Sequence, residues 1–124
     1  MRRRPRLPLQ TVIETDEFIQ SARQRQADDF ALLIRDGYKV VLAYIQTLGL
    51  DDDTSMTGVV VVHNASGPYG TRRHEWLPNY LEQCIQLAQD AVLVDTIWEP
   101  ELIQAIRELG FEESCPLMWI YRKS

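Results

Sequence analysis

The densest apolar positions lie between Tyr38 and Leu48 and between Thr57 and His63, where β-branched, aliphatic and aromatic residues follow one another closely. Both stretches predict strands. Val59 to Val62 contains no polar residue, which suits a central strand buried on both faces. Gly49 to Thr54 is short and acidic, with Asp51, Asp52 and Asp53 at its tip, so the two strands form an antiparallel hairpin. Toward the N-terminus, Leu9 to Glu14 fits a short first strand. Thr15 is placed as a helix N-cap, with Asp16 and Glu17 at the positive end of the helix dipole. Phe18, Ala22, Phe30, Leu33 and Ile34 supply an apolar helical face. The polar residues Arg23 to Gln26, then Asp28 and Asp29, divide that helix in two, and Gly37 stops it.

After the hairpin, Asn64 to Trp76 is a polar loop carrying Gly67, Pro68, Gly70, Arg72, Arg73 and His74. Pro78 suits the first turn of a helix, and Leu77, Tyr80, Leu81, Cys84, Leu87 and Ala88 recur at helical spacing through Gln89. Ala91 to Ile97 predicts a strand. Pro100 opens a last helix with Leu102, Ile103, Ile106 and Leu109 as its buried stripe and Gly110 as its stop; Leu117 to Tyr121 is the closing strand. The predicted order is β, α(α), β, β, α, β, α, β. It implies one α/β domain over residues 9–124, with a single mixed β-sheet flanked by helices. Residues 1–8 form a basic, disordered tail.

A chain of 124 residues is one domain, and 45% hydrophobic with 25% charged residues is the balance of a soluble globular protein. No apolar run approaches the roughly 20 residues of a membrane span, and the basic N-terminus lacks the apolar core of a secretory signal, so the expected compartment is the cytoplasm. The net charge of −5 is uneven. Arg2, Arg3, Arg4 and Arg6 precede a body with 9 basic against 18 acidic residues, which is no nucleic-acid surface. Those four arginines are a candidate contact for phosphate, nucleic acid or an acidic protein, against the simpler reading of a solvated terminus. Cys84 and Cys115 are far apart and in no metal-ligand spacing, which predicts two core or half-buried thiols and no metal site. The three aspartates of the hairpin turn lack the Gly and Glu of a calcium loop.

From Val59 to Tyr121 the layout resembles the core of the GNAT family of acyl-CoA N-acyltransferases. A central strand enters a loop and helix, then a strand, then a helix ending in Leu109-Gly110-Phe111, then a last strand. The resemblance implies a GNAT-like topology. It also implies that the loop after the central strand, Asn64 to Arg73, holds the CoA pyrophosphate on backbone amides, as glycines allow close approach to an anion. Carried over onto this chain, the cofactor-binding positions are Gly67 and Gly70, with Arg72 and Arg73 adding side-chain phosphate contacts. Asn64 stands where the family has Gln or Arg, Tyr69 where it has a second glycine, and Pro68 removes an amide donor. The tyrosine that often serves as general acid corresponds to Ile106, and the Asn that often precedes this helix corresponds to Glu99. Candidate general bases are His63, at the end of the central strand, and Glu75 or His74 in the loop.

Two functions follow. One is a catalytically degenerate GNAT-like domain, of the kind a small phage or mobile element would carry, acting as a protein or nucleoprotein interaction module. It would offer the arginine tail and an aromatic surface drawn from Trp76, Trp98, Trp119 and five tyrosines. Trp98 and Trp119 also suit packing of helix against sheet. The other is an acetyl-CoA-dependent N-acetyltransferase acting on an amine. A splayed gap between the strands Val59–His63 and Ala91–Ile97 would favour CoA, and a closed sheet with a filled loop would favour the interaction module. A ferredoxin-like sandwich with a β-α-β extension fits the same order less economically.

Overall fold

The computed structural model describes residues 9–49 and 55–123, with side chains from Glu14 onward. The arginine tail and the Asp51-Asp52-Asp53 turn lie outside the described residues. Along the chain come α1 (Leu9–Arg25), β1 (Asp29–Arg35), β2 (Tyr38–Gly49), β3 (Ser55–Ser66), α2 (Leu77–Leu87), β4 (Ala91–Val94), α3 (Pro100–Leu109), β5 (Glu112–Cys115) and β6 (Met118–Arg122), with a 3-10 turn at Arg73–Glu75 before α2. The strands form one mixed sheet in the order β1-β2-β3-β4-β6-β5. Only β3 and β4 are parallel; every other neighbouring pair is antiparallel.

The α/β class and the single mixed sheet are as the sequence predicts, and the N-terminal third differs. Leu9 to Glu14 is the start of α1, not a strand, and the helix is not split. Thr15 lies inside α1, where its hydroxyl meets the Tyr80 hydroxyl at 2.8 Å in the core. Phe30, Leu33 and Ile34 belong to β1, not to a second helix. Gly37 does not end a helix: Asp36 and Gly37, at φ 52° and 86°, form the two-residue turn between the paired Arg35 and Tyr38. Two left-handed residues in a row are what a tight hairpin of this twist requires. At the other end, β5 had no predicted counterpart, and β4 stops at Val94.

Helices cover one face of the sheet. Ile19 and Ala22 of α1, Leu81 and Cys84 of α2, and Leu102 and Ile106 of α3 share a buried cluster with Leu42, Val60, Val62, Val92 and Trp119. The opposite face carries a second cluster built by strands alone, with Ala43, Val59, Val61, Ala91, Leu93 and Ile120. Helices therefore do not flank both faces among the described residues, as the sequence had implied. Val59 to Val62 is buried residue by residue, as its lack of polar positions predicts. Gly110 ends α3 with φ 109°, and the Phe111 amide returns to the Ile106 carbonyl at 3.0 Å, so Leu109-Gly110-Phe111 works here as a helix stop. No helix among the described residues is long and apolar enough to cross a membrane.

Candidate functional site

The carboxyl ends of the parallel pair β3 and β4 carry most of the polar chemistry. In a sheet of this kind, side chains leaving such ends face the open crevice above the strands. Pairing holds from Val59–Ala91 to Val62–Val94, and the Asp95 amide then donates to the Val62 carbonyl at 3.1 Å. One residue further, His63 Nδ1 and Asp95 Oδ2 are 2.5 Å apart. Asp95 Oδ1 accepts from the Asn64 amide at 3.0 Å and from the Thr96 hydroxyl at 3.1 Å, and that hydroxyl also reaches the Asn64 side-chain oxygen.

Burial pushes the Asp95 carboxyl upward, but the hydrogen bonds from Asn64, His63 and Thr96 outweigh it and hold the group below its ordinary value of 3.8. An ionised Asp95 makes His63 Nδ1 the protonated nitrogen. In the neutral form of the ring the lone pair is then on Nε2, on a side chain that is 37% exposed. This is the arrangement of an oriented proton acceptor. The residues after each dyad member, Asn64 and Thr96, have φ of 47° and 59°. A left-handed β-branched residue is costly, roughly 1–3 kcal/mol, and persists only where its surroundings hold it. Thr96 also turns the chain out of the extended run, which is why β4 ends before Ile97.

Beside the dyad, Arg73 closes the space between the strand ends. Its guanidinium donates to both Glu99 carboxylate oxygens, at 2.8 and 2.5 Å, to the Ala65 carbonyl beyond His63 at 3.2 Å, and to the Thr96 carbonyl. The side chain is 11% exposed. Burial raises the Glu99 carboxyl, but the hydrogen bond and charge of Arg73 bring it below its ordinary 4.5. Arg72 points to solvent, 3.8 Å from Glu101.

Four of the loop's backbone donors are also occupied. The Thr71 amide donates to the Pro68 carbonyl at 2.9 Å, the Glu75 amide to the Arg72 carbonyl at 3.0 Å, and the Trp76 amide to the Arg73 carbonyl at 3.2 Å. The Arg72 amide donates to the Glu75 carboxylate at 2.8 Å. Glu75 thus stands as a cap on the 3-10 turn. Gly67 faces the buried Trp76: a Cβ there would lie 2.9 Å from the indole nitrogen. That close approach accounts for the glycine without a ligand. Gly70, at φ 86°, tips an exposed turn with open space around it.

Two hollows adjoin this region. One of about 330 Å³ lies between Arg72, Arg73, His74, Trp98 and Glu101. The other, about 390 Å³, lies between α2 and α3 and is lined by His74 and the acidic Glu75, Glu82 and Glu108. Trp98 is exposed and rims the first hollow instead of packing helix on sheet, whereas Trp119 is buried in the core as expected. Cys84 is buried; Cys115 is exposed, not half-buried.

Of the residues singled out from the sequence, the structure brings together Arg72, Arg73 and His74 at one hollow and places His63 inside β3, one residue past its pairing with β4; Asn64 to Ser66, expected in the loop, continue that strand. Glu75 turns back on its own loop. Sequence reasoning missed Asp95 and Thr96, and named Glu99 only as the counterpart of an Asn, not as the partner of Arg73. The available signal was an Asp-Thr pair immediately after an unbroken apolar strand. Comparison with protein-family models, with curated proteins and with solved structures returned no match.

Proposed function

We propose that this chain is a GNAT-like domain that has given up its acyl-CoA groove and serves as a protein interaction module. The observation that carries the reading is the state of the loop after β3. The Thr71, Glu75 and Trp76 amides are engaged in internal turns, a carboxylate caps the Arg72 amide, and the Arg73 guanidinium is neutralised by Glu99 in the cleft between the strands. An anionic pyrophosphate needs unpaired donors and net positive charge; four of the amides already have partners and the Arg73 charge is matched by Glu99. The GNAT-like part of the reading is supported by the strand order, the single parallel pair and Leu109-Gly110-Phe111 at the end of α3. Ile106 is a buried core residue, so no hydroxyl stands where the family often places its acid.

A second reading, acetyl-CoA-dependent transfer to an amine, is favoured by the His63–Asp95 dyad. A part-exposed imidazole held by a carboxylate is the kind of group that takes a proton from an attacking amine. Thiol release from acetyl-CoA in the presence of small and peptide amines separates the two. The interaction module gives no release above the protein-free rate. Turnover that falls by about 100-fold or more in His63→Gln would establish the transferase instead.

A further inference from the structure

We infer that two copies of this chain join through β1, edge to edge and antiparallel, about a twofold axis at Leu32. The proposal goes beyond the reading of the cleft and does not depend on it, since β1 stands two strands from β3.

β1 is an edge strand of the described sheet. Because Arg35 and Tyr38 close a two-residue turn, residues 29, 31, 33 and 35 direct their backbone groups at β2, and 30, 32 and 34 direct theirs outward. The Phe30 amide fits this alternation: it donates to the Asp29 side chain at 2.8 Å. The side chains of the outward residues share the helix-free face and are exposed, Phe30 at 76%, Leu32 at 54% and Ile34 at 58%. Natural edges are usually blunted by charge, proline or a bulge, and residues 30–34 contain none of these.

The sequence of the strand, Asp29-Phe30-Ala31-Leu32-Leu33-Ile34-Arg35, is self-complementary when reversed on itself. Antiparallel pairing centred on Leu32 sets Phe30 opposite Ile34 of the second copy and joins the outward backbone groups in hydrogen-bonded pairs. It also sets Asp29 opposite Arg35 twice, once at each end, and opposite charges at facing positions are favourable. Arg35 is loosely held: its contact with Glu14 is 3.8 Å long and its side chain is 36% exposed. Asp29, whose Oδ2 is paired with Arg25 at 2.8 Å, would release the Phe30 amide to the partner strand from Oδ1 and turn that oxygen to the arginine. The apolar helix-free face would then continue across both sheets, as an isologous contact requires.

Sedimentation velocity over micromolar to sub-millimolar protein is expected to show a monomer–dimer equilibrium, lost in Leu32→Lys. Leu32 is half exposed, so that variant should keep the parent's circular dichroism spectrum. Register is read by oxidative cross-linking in a Cys115→Ser background. Leu32→Cys should form a covalent dimer, because facing α-carbons lie about 5.5 Å apart. Phe30→Cys should not, because its copies would be about 14 Å apart along the strands. A monomer at every concentration overturns the proposal. So does a dimer that survives in Leu32→Lys, or one cross-linked through Phe30→Cys and not through Leu32→Cys.

Discussion

Arg73→Ala is expected to lower the unfolding free energy by about 3 kcal/mol, the low end of the range for breaking a buried ion pair. For a domain of this size that is a fall in Tm of roughly 10–15 °C. The loss has two sources. Glu99 remains as a carboxylate that is only 20% exposed and has lost its counter-charge, and the carbonyls of Ala65 and Thr96 lose their donor. The paired variant Arg73→Met/Glu99→Leu should cost less than Arg73→Ala alone, because no charge is left unpaired. Denaturant unfolding of the three proteins checks both statements. A change within about 0.5 kcal/mol for Arg73→Ala would show a solvated guanidinium, free to meet a ligand, and would remove the main support for a closed cleft.

The second large effect is expected at Asp95, whose carboxylate holds the ends of β3 and β4 together through His63, the Asn64 amide and the Thr96 hydroxyl. Asp95→Ala should cost about 2–3 kcal/mol, since bonds to a charged acceptor are lost and the left-handed Asn64 and Thr96 lose their restraint. The pH dependence has a definite sign. Asp95 and Glu99 are both held below their ordinary values when folded, so between the folded and unfolded pKa the unfolded chain binds more protons. Their stabilisation is present above those ordinary values, 3.8 and 4.5, and is lost as the pH falls through the lower folded ones. Thermal unfolding from about pH 6 down to pH 3 should therefore show Tm falling with acid, and Asp95→Asn should fall less steeply than the parent. An equal slope in the two proteins would remove Asp95 from this account.

Long apolar or periodic stretches were legible before folding. Val59 to Val62 could only be a buried strand, and Pro100 to Gly110 carried a start, a stripe and a stop. The N-terminal third misled because Phe30, Leu33 and Ile34 have helical spacing while Phe30, Leu32 and Ile34 alternate as in a strand. Asp36-Gly37 settles the matter, since that pair is a hairpin signal more specific than a helix stop. β5 is four exposed residues attached to β6, so it has no apolar pattern to read. His63 was legible as the first polar residue after the buried run Val59–Val62, although β3 continues to Ser66. Its partner Asp95 is 32 positions away, and only the parallel register brings the two into line. Arg73 was legible as a cation in a glycine-containing loop, but whether it meets a phosphate or a carboxylate depends on where α3 delivers Glu99.

Calorimetric titration of acetyl-CoA and CoA into the unmodified protein tests the closed cleft most directly, with Arg72→Ala/Arg73→Ala as the comparison. The account predicts no binding heat and no rise in Tm at millimolar ligand, because four of the loop's amides are engaged internally and Arg73 is paired with Glu99. Low-micromolar binding that disappears in the double variant would contradict it, and would return the His63–Asp95 dyad to the centre of an acyl-transfer mechanism.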